Sequence, residues 1–278
     1  MFTTLARWFQ WFLQARWLWT NVQIATLHHH RSLLLQRERY QNSKRLNQFE
    51  YQVFSQNGED GIISEIFKRI EVTNRVFVEI GVGNGLENNT TFLLLKGWKG
   101  VWIEGNRQSA SFIKKHFAAP LLDGRISLLQ ELISRENTAL LLTNLDIPVE
   151  PDLLSIDIDR NTYYVLETIL QEFRPRVIVV EYNGLIPPDV DWKVDYAATY
   201  LWNHTSYFGA SLKAYELLGK RLGYSLVGCD LCGVNAFLVR SDLCDKKFEE
   251  PFTAENHYEP LRDFLTYRGG YSRAFSDL

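Results

Sequence analysis

Residues 79–85 read Glu79-Ile80-Gly81-Val82-Gly83-Asn84-Gly85 and follow directly on the apolar run Val76-Phe77-Val78. A short apolar run closed by glycines predicts a buried strand entering a tight turn. Glycine lets the backbone come close to a ligand and adopts positive φ at little cost. In a doubly wound sheet this turn lies at the carboxyl edge, where ligands bind. The next apolar run, Val101-Trp102-Ile103, ends at Glu104, a carboxylate able to accept both hydroxyls of a ribose. The glycines are spaced G-x-G-x-G, whereas dinucleotide-binding turns are spaced G-x-G-x-x-G. Glu79, two residues before the first glycine, would repel a pyrophosphate and suits a cationic or zwitterionic ligand.

Outward from this turn, strand and helix signals alternate. Apolar residues at helical spacing predict helices over 61–70, 86–96, 107–117, 161–172 and 211–222. Short apolar runs predict strands at 76–80, 101–103, 125–129, 153–158, 177–181, 224–229 and 234–240. The last two are too close for a helical crossover and must pair as an antiparallel hairpin. The fold class is therefore α/β, a doubly wound, mostly parallel seven-stranded sheet with a terminal antiparallel hairpin. It forms one domain over residues 49–278, preceded by a helical extension over 1–48.

The turn at Glu79 to Gly85 resembles motif I of the class I S-adenosylmethionine-dependent methyltransferases. That resemblance implies a Rossmann-like methyltransferase fold and S-adenosylmethionine as cofactor. Glu79 would then hold the methionine part, directly or through water, and Glu104 the ribose, with Gly81, Gly83, Asn84 and Gly85 around them. Two further stretches, Ser55-Gln56-Asn57-Gly58-Glu59-Asp60-Gly61 and Ser155-Ile156-Asp157-Ile158-Asp159, are similar to the FkbM-like group. This resemblance adds Gln56 and Glu59 to the cofactor side. It implies O-methylation of a hydroxyl on a sugar, glycolipid or other natural product. The fourth strand of that group usually ends Asp-x-Glu-Gly, and Arg160 departs from it here. The alternative reading is a membrane-peripheral binding or scaffold protein that keeps the fold without turnover. A nicotinamide-dependent oxidoreductase is disfavoured by the glycine spacing.

Asp157 and Asp159 close the fourth strand, Glu181 and Asn183 the fifth. Alternate residues of a strand face one side, so neighbouring strand ends would bring both pairs together. Such oxygen ligands suit Mg²⁺, which would lower a hydroxyl pKa. A carboxylate acting as general base without metal, or merely positioning the acceptor, fits the same residues. His204 is a second candidate base. The stretch 185–209 is long for a compact domain and rich in aromatics, among them Trp192, Tyr196, Tyr200, Trp202 and Tyr207, which suits acceptor binding. Cys229 and Cys232 form a C-x-x-C with only Cys244 besides, too few ligands for zinc, and read as structural and reduced in a cytoplasmic setting.

Charge divides the chain unevenly. Net charge is −3, which excludes a polycationic nucleic-acid binder. Residues 1–37 nevertheless carry four Arg, three His and no acid, and four of the eight tryptophans lie in the first nineteen residues. A transmembrane helix is excluded by Arg7, Gln10, Gln14, Arg16, Asn21 and Gln23. Helical spacing instead gathers Thr3, Arg7, Gln10, Gln14 and Asn21 on one polar stripe, with Leu5, Trp8, Phe9, Phe12, Trp19 and Val22 on the far side. This pattern predicts peripheral contact with an anionic membrane, or packing in a homo-oligomer. A polar helix over 31–47 would connect the segment to the domain.

Overall fold

The computed structural model describes residues 2–199, 205–265 and 275, with the backbone alone for 2–10, 12 and 13. A long helix, α1 (Phe2–Leu35), comes first. The body then alternates α2 (Glu59–Ile70), β1 (Val76–Ile80), α3 (Thr91–Leu95), β2 (Lys99–Ile103), α4 (Arg107–His116), α5 (Ala118–Leu122) and β3 (Ile126–Leu129). It continues with α6 (Thr138–Thr143), β4 (Leu153–Ile156), α7 (Thr162–Ile169), β5 (Val177–Glu181), α8 (Leu212–Leu222), β6 (Tyr224–Cys229), β7 (Asn235–Arg240) and α9 (Ala254–His257).

The seven strands form one sheet in the order β3-β2-β1-β4-β5-β7-β6. β1 to β5 pair in parallel, and β7 runs antiparallel to both β5 and β6. Alternation along the strands divides the core. Val78, Ile80, Leu154, Ile156, Ile178 and Val180 face the helices α6 to α9. Phe77, Trp102, Leu153, Val177, Val179 and Phe237 face α2 to α5. Burial on both faces is what a parallel sheet with helical crossovers requires. At the amino edge, the fully buried Asp152 accepts the N–H groups of Thr73, Asn74 and Arg75 at 2.7–3.0 Å and pairs with Arg176 at 2.8 Å. This fixes the strand starts, so the opposite edge is free for loops.

Several elements depart from the sequence reading. The polar helix expected over 31–47 does not form: α1 ends at Leu35, and two short 3-10 turns follow, Glu38–Tyr40 and Asn47–Phe49. Leu46 enters the core beside α2, and the Asn47 amide donates to the Cys229 carbonyl at 2.9 Å. Residues 36–48 are therefore packed on the body rather than suspended from it. The helix expected over 86–96 is reduced to Thr91–Leu95, and helices α5, α6 and α9 lie where none was expected. Cys229, Cys232 and Cys244 are buried free thiols.

Candidate functional site at the carboxyl edge of the sheet

Glu79 ends β1 with its side chain buried. It accepts the Asn88 Nδ2 at 2.7 Å, the Asn89 N–H at 2.9 Å, the Thr90 hydroxyl and the Ser155 hydroxyl at 3.3 Å. Burial pushes its pKa up to about 7, against the pull of those donors. Both carboxylate oxygens are thus engaged by the protein's own loop. Glu79 acts on the turn by holding 88–90 against the strand end. Nothing in the residue spacing signals the donors Asn88, Asn89, Thr90 and Ser155.

Glu104 follows β2 on the other side of the glycine turn. Its Oε2 accepts the Gly83 N–H and its Oε1 the Asn106 N–H, both at 2.6 Å. Burial raises its pKa. Each oxygen keeps a further lone pair, so the carboxylate can still accept hydroxyls. Between the two acids, Gly81 has φ 86°, and a Cβ there would lie 1.7 Å from the Asp157 carbonyl oxygen. The turn at β1 and the end of β4 are therefore in backbone contact. Gly83, by contrast, faces open space: a Cβ there meets nothing within 4 Å. Asn84 is exposed and accepts the Leu86 N–H at 2.9 Å, and Gly85 lies against the Phe117 ring.

The start of α2 lies close to this edge. Glu59, fully buried, accepts the Asn57 N–H at 2.7 Å and the Asn235 Nδ2 at 2.8 Å, which ties α2 to the start of β7. Asp60 Oδ2 accepts the N–H groups of Val53, Phe54 and Ser55 at 2.7–2.9 Å and shapes the loop that carries the half-buried Gln56. The serine-glutamine stretch is a folded loop held by its own acids.

At the ends of β4 and β5, Asp157, Asp159 and Glu181 bring one carboxylate oxygen each to within 4.8 Å of one another. Asp157 keeps a solvent-facing surface, yet enclosure by protein and then the neighbouring Asp159 push its pKa up to about 6. Burial, and after it the neighbouring Asp157 and Asp159, hold Glu181 well above the ordinary carboxylate range. Glu181 Oε2 is buried with no hydrogen-bond partner. Like charges at such distances oppose one another's ionisation, so each carboxylate of the cluster holds its proton more tightly than it would alone.

Asn183 has a different task from the one its spacing suggested. Its Nδ2 donates to the Ser206 and Phe208 carbonyls at 2.9 and 3.1 Å, and its Oδ1 accepts the Leu185 N–H at 3.2 Å. It holds the two ends of the long loop together. Arg160, the departure from the family pattern, also binds this loop: its Nη2 donates to the Asp195 carbonyl at 2.9 Å, and its guanidinium lies 5.2 Å from the Tyr207 ring centroid. Tyr196 reaches the segment before α6, where it binds Glu136 and accepts the Arg135 N–H at 3.1 Å. His204, Tyr200 and Trp202 lie outside the described residues.

No family model matches the chain, and no curated protein does. Solved structures do. An O-methyltransferase from Bacillus cereus in complex with S-adenosylhomocysteine aligns with TM-score 0.43 and 14% identity, over 78% of this chain and 89% of that one. A precorrin-6y C5,15-methyltransferase from Geobacter metallireducens aligns with TM-score 0.41 and 13% identity, over 64% and 86%. A proposed O-methyltransferase from Klebsiella pneumoniae aligns with TM-score 0.35 and 17% identity over 48% of this chain, which spans 60% of its length. These structural neighbours are methyltransferases. At such scores the likeness says nothing of what this chain acts on.

Proposed function

We propose that the chain is an S-adenosylmethionine-dependent O-methyltransferase whose acceptor is a hydroxyl of a sugar, glycolipid or other natural product. The observation that carries this reading is Glu104. It is clamped to the Gly83 N–H where the glycine turn opens to solvent, and the carboxyl cluster of Asp157, Asp159 and Glu181 lies on the same sheet edge. The residues fit the cofactor: Gly83 leaves room beside the turn, Glu104 keeps acceptor capacity for ribose hydroxyls, and Gly81 admits the close approach of β4. S-adenosylmethionine, when bound, supplies an electrophilic methyl group on sulfur.

The protein's own part is alignment and proton removal. A hydroxyl that gains a methyl group must lose its proton, and displacement is in line, so acceptor and donor have to be held in register. The Asp157 carboxylate, its pKa raised to about 6 and set beside Glu181, is suited to take that proton near neutral pH. Arg160 and Asn183 hold the loop that borders the acceptor side. The convergence of three carboxylates favours a second arrangement, in which Asp157, Asp159 and Glu181 hold a hard divalent cation such as Mg²⁺.

Calorimetry of the full chain with S-adenosylmethionine tests the first claim; a folded protein that gives no binding heat at any workable concentration refutes it and leaves the non-catalytic reading. Transfer of labelled methyl groups to a fractionated cell extract identifies the acceptor class. Turnover of that acceptor unchanged by EDTA removes the cation.

A further inference from the structure

The helix α1 spans 34 residues, about 51 Å at 1.5 Å per residue. Among the described residues, the packing of the body on this helix is at its last part. Leu27, Leu34 and Leu35 pack around Tyr40, Leu231, Cys232 and Leu265, and Arg31 pairs with Glu50. Before that, most of the described side chains are exposed, Thr20 and Ile24 being half-buried. Trp11, Trp17 and Trp19 are 63%, 69% and 64% exposed, and Leu18 and Val22 are exposed with them. Solvated tryptophans in such number form an apolar surface that a soluble monomer rarely leaves uncovered.

The chemistry of the segment indicates what covers it. At 100° per residue, Trp11, Leu18, Val22 and Trp19 fall within an arc of about 100°, while Trp17 lies on the far side, about 160° from Trp19. A two-stranded helical seam covers a narrow stripe and leaves part of this set in water. Residues 1–37 carry four Arg and no acid, so two copies laid side by side would repel. A flat anionic surface also meets one side only, taking Trp11, Leu18, Val22 and Trp19, but it attracts the arginines that would hold two copies apart. Tryptophan places an apolar ring and one N–H donor at the boundary between headgroup and acyl chain. Among the described residues no helix is long and apolar enough to cross a membrane, so the helix would lie along the surface.

We infer that α1 is an interfacial helix that docks the protein on an anionic phospholipid bilayer. The inference is independent of the reaction proposed above. Its test is flotation of the full chain with vesicles of phosphatidylcholine alone and of equal parts phosphatidylcholine and phosphatidylglycerol, at low and high salt. The expected result is co-flotation with the anionic vesicles, weakened by salt, and a blue shift of tryptophan emission. The triple variant Trp11→Ala, Trp17→Ala, Trp19→Ala should lose more than about tenfold in partitioning while the thermal unfolding of the body is unchanged. Absence of binding to anionic vesicles at low salt overturns the inference. If sedimentation then shows a dimer that the same variant dissolves, the helix pairs with a second copy instead.

Discussion

The Glu104 carboxylate holds the Gly83 N–H at 2.6 Å and so locks the turn after β1 to the end of β2. An acid that organises the turn and still offers lone pairs to a ligand contributes twice to affinity. Glu104→Gln keeps the size, removes the charge and leaves one oxygen to accept where the Gly83 and Asn106 N–H groups now each have their own. Charge-assisted hydrogen bonds contribute about 1.5–3 kcal/mol each. S-adenosylmethionine binding should weaken at least about tenfold, measured by calorimetry, and the unfolding midpoint should fall with the loss of one of the two backbone contacts.

The two glycines nearest that lock respond differently to the same substitution. Gly81→Ala puts a methyl 1.7 Å from the Asp157 carbonyl oxygen at φ 86°, where neither backbone can yield without moving β4. Gly83→Ala meets no atom within 4 Å and carries only the cost of a left-handed φ of 62°, about 1–2 kcal/mol. Urea unfolding should therefore show Gly83→Ala folded and modestly destabilised. Gly81→Ala should lose well over twice as much or fail to accumulate.

Acid sensitivity should trace to His257. Its ring is buried, its Nε2 lies 3.0 Å from the Glu249 carbonyl, and burial, followed by the nearby Arg45, lowers its pKa to about 3. Between pH 6.5 and 3 the unfolded chain binds a proton that the folded chain refuses. The contribution to stability is complete above the unfolded pKa and is lost as pH falls toward 3, by up to about 4 kcal/mol. Denaturant unfolding at pH 7 and pH 4.5 should show a smaller loss for His257→Gln than for the wild type. An equal loss in both proteins would assign the acid sensitivity to other groups.

The strands were the legible part of this chain. Apolar runs bounded by turn residues located all seven, and the short spacing between 229 and 234 announced the hairpin. Helix boundaries were less legible where a distant side chain decides them. Residues 86–90 have helical spacing, but the Asn88 and Thr90 side chains and the Asn89 N–H are turned to Glu79 and α3 begins at Thr91. Residues 31–47 read as one polar helix, but Leu46 leaves it for the core. At the site, alternation along β4 and β5 brought Asp157, Asp159 and Glu181 together as expected from the pleat. Asn183 had the same spacing and serves the loop, because an amide carries donors that nearby carbonyls can claim. The binding of Arg160 to Asp195 and Tyr207 depends on how a 25-residue loop folds back, which no local pattern encodes.

The Arg31–Glu50 contact at the root of α1 has a further consequence. Glu50 also accepts the Leu231 N–H at 2.7 Å, so the helix is fastened to the hairpin turn of the sheet and not only to its own connecting segment. A tether fastened in this way sets an angle as well as a distance. If α1 rests on a bilayer as inferred above, these contacts would restrict the rotation of the body about its anchor, and an acceptor carried in that surface would be met by diffusion in a plane.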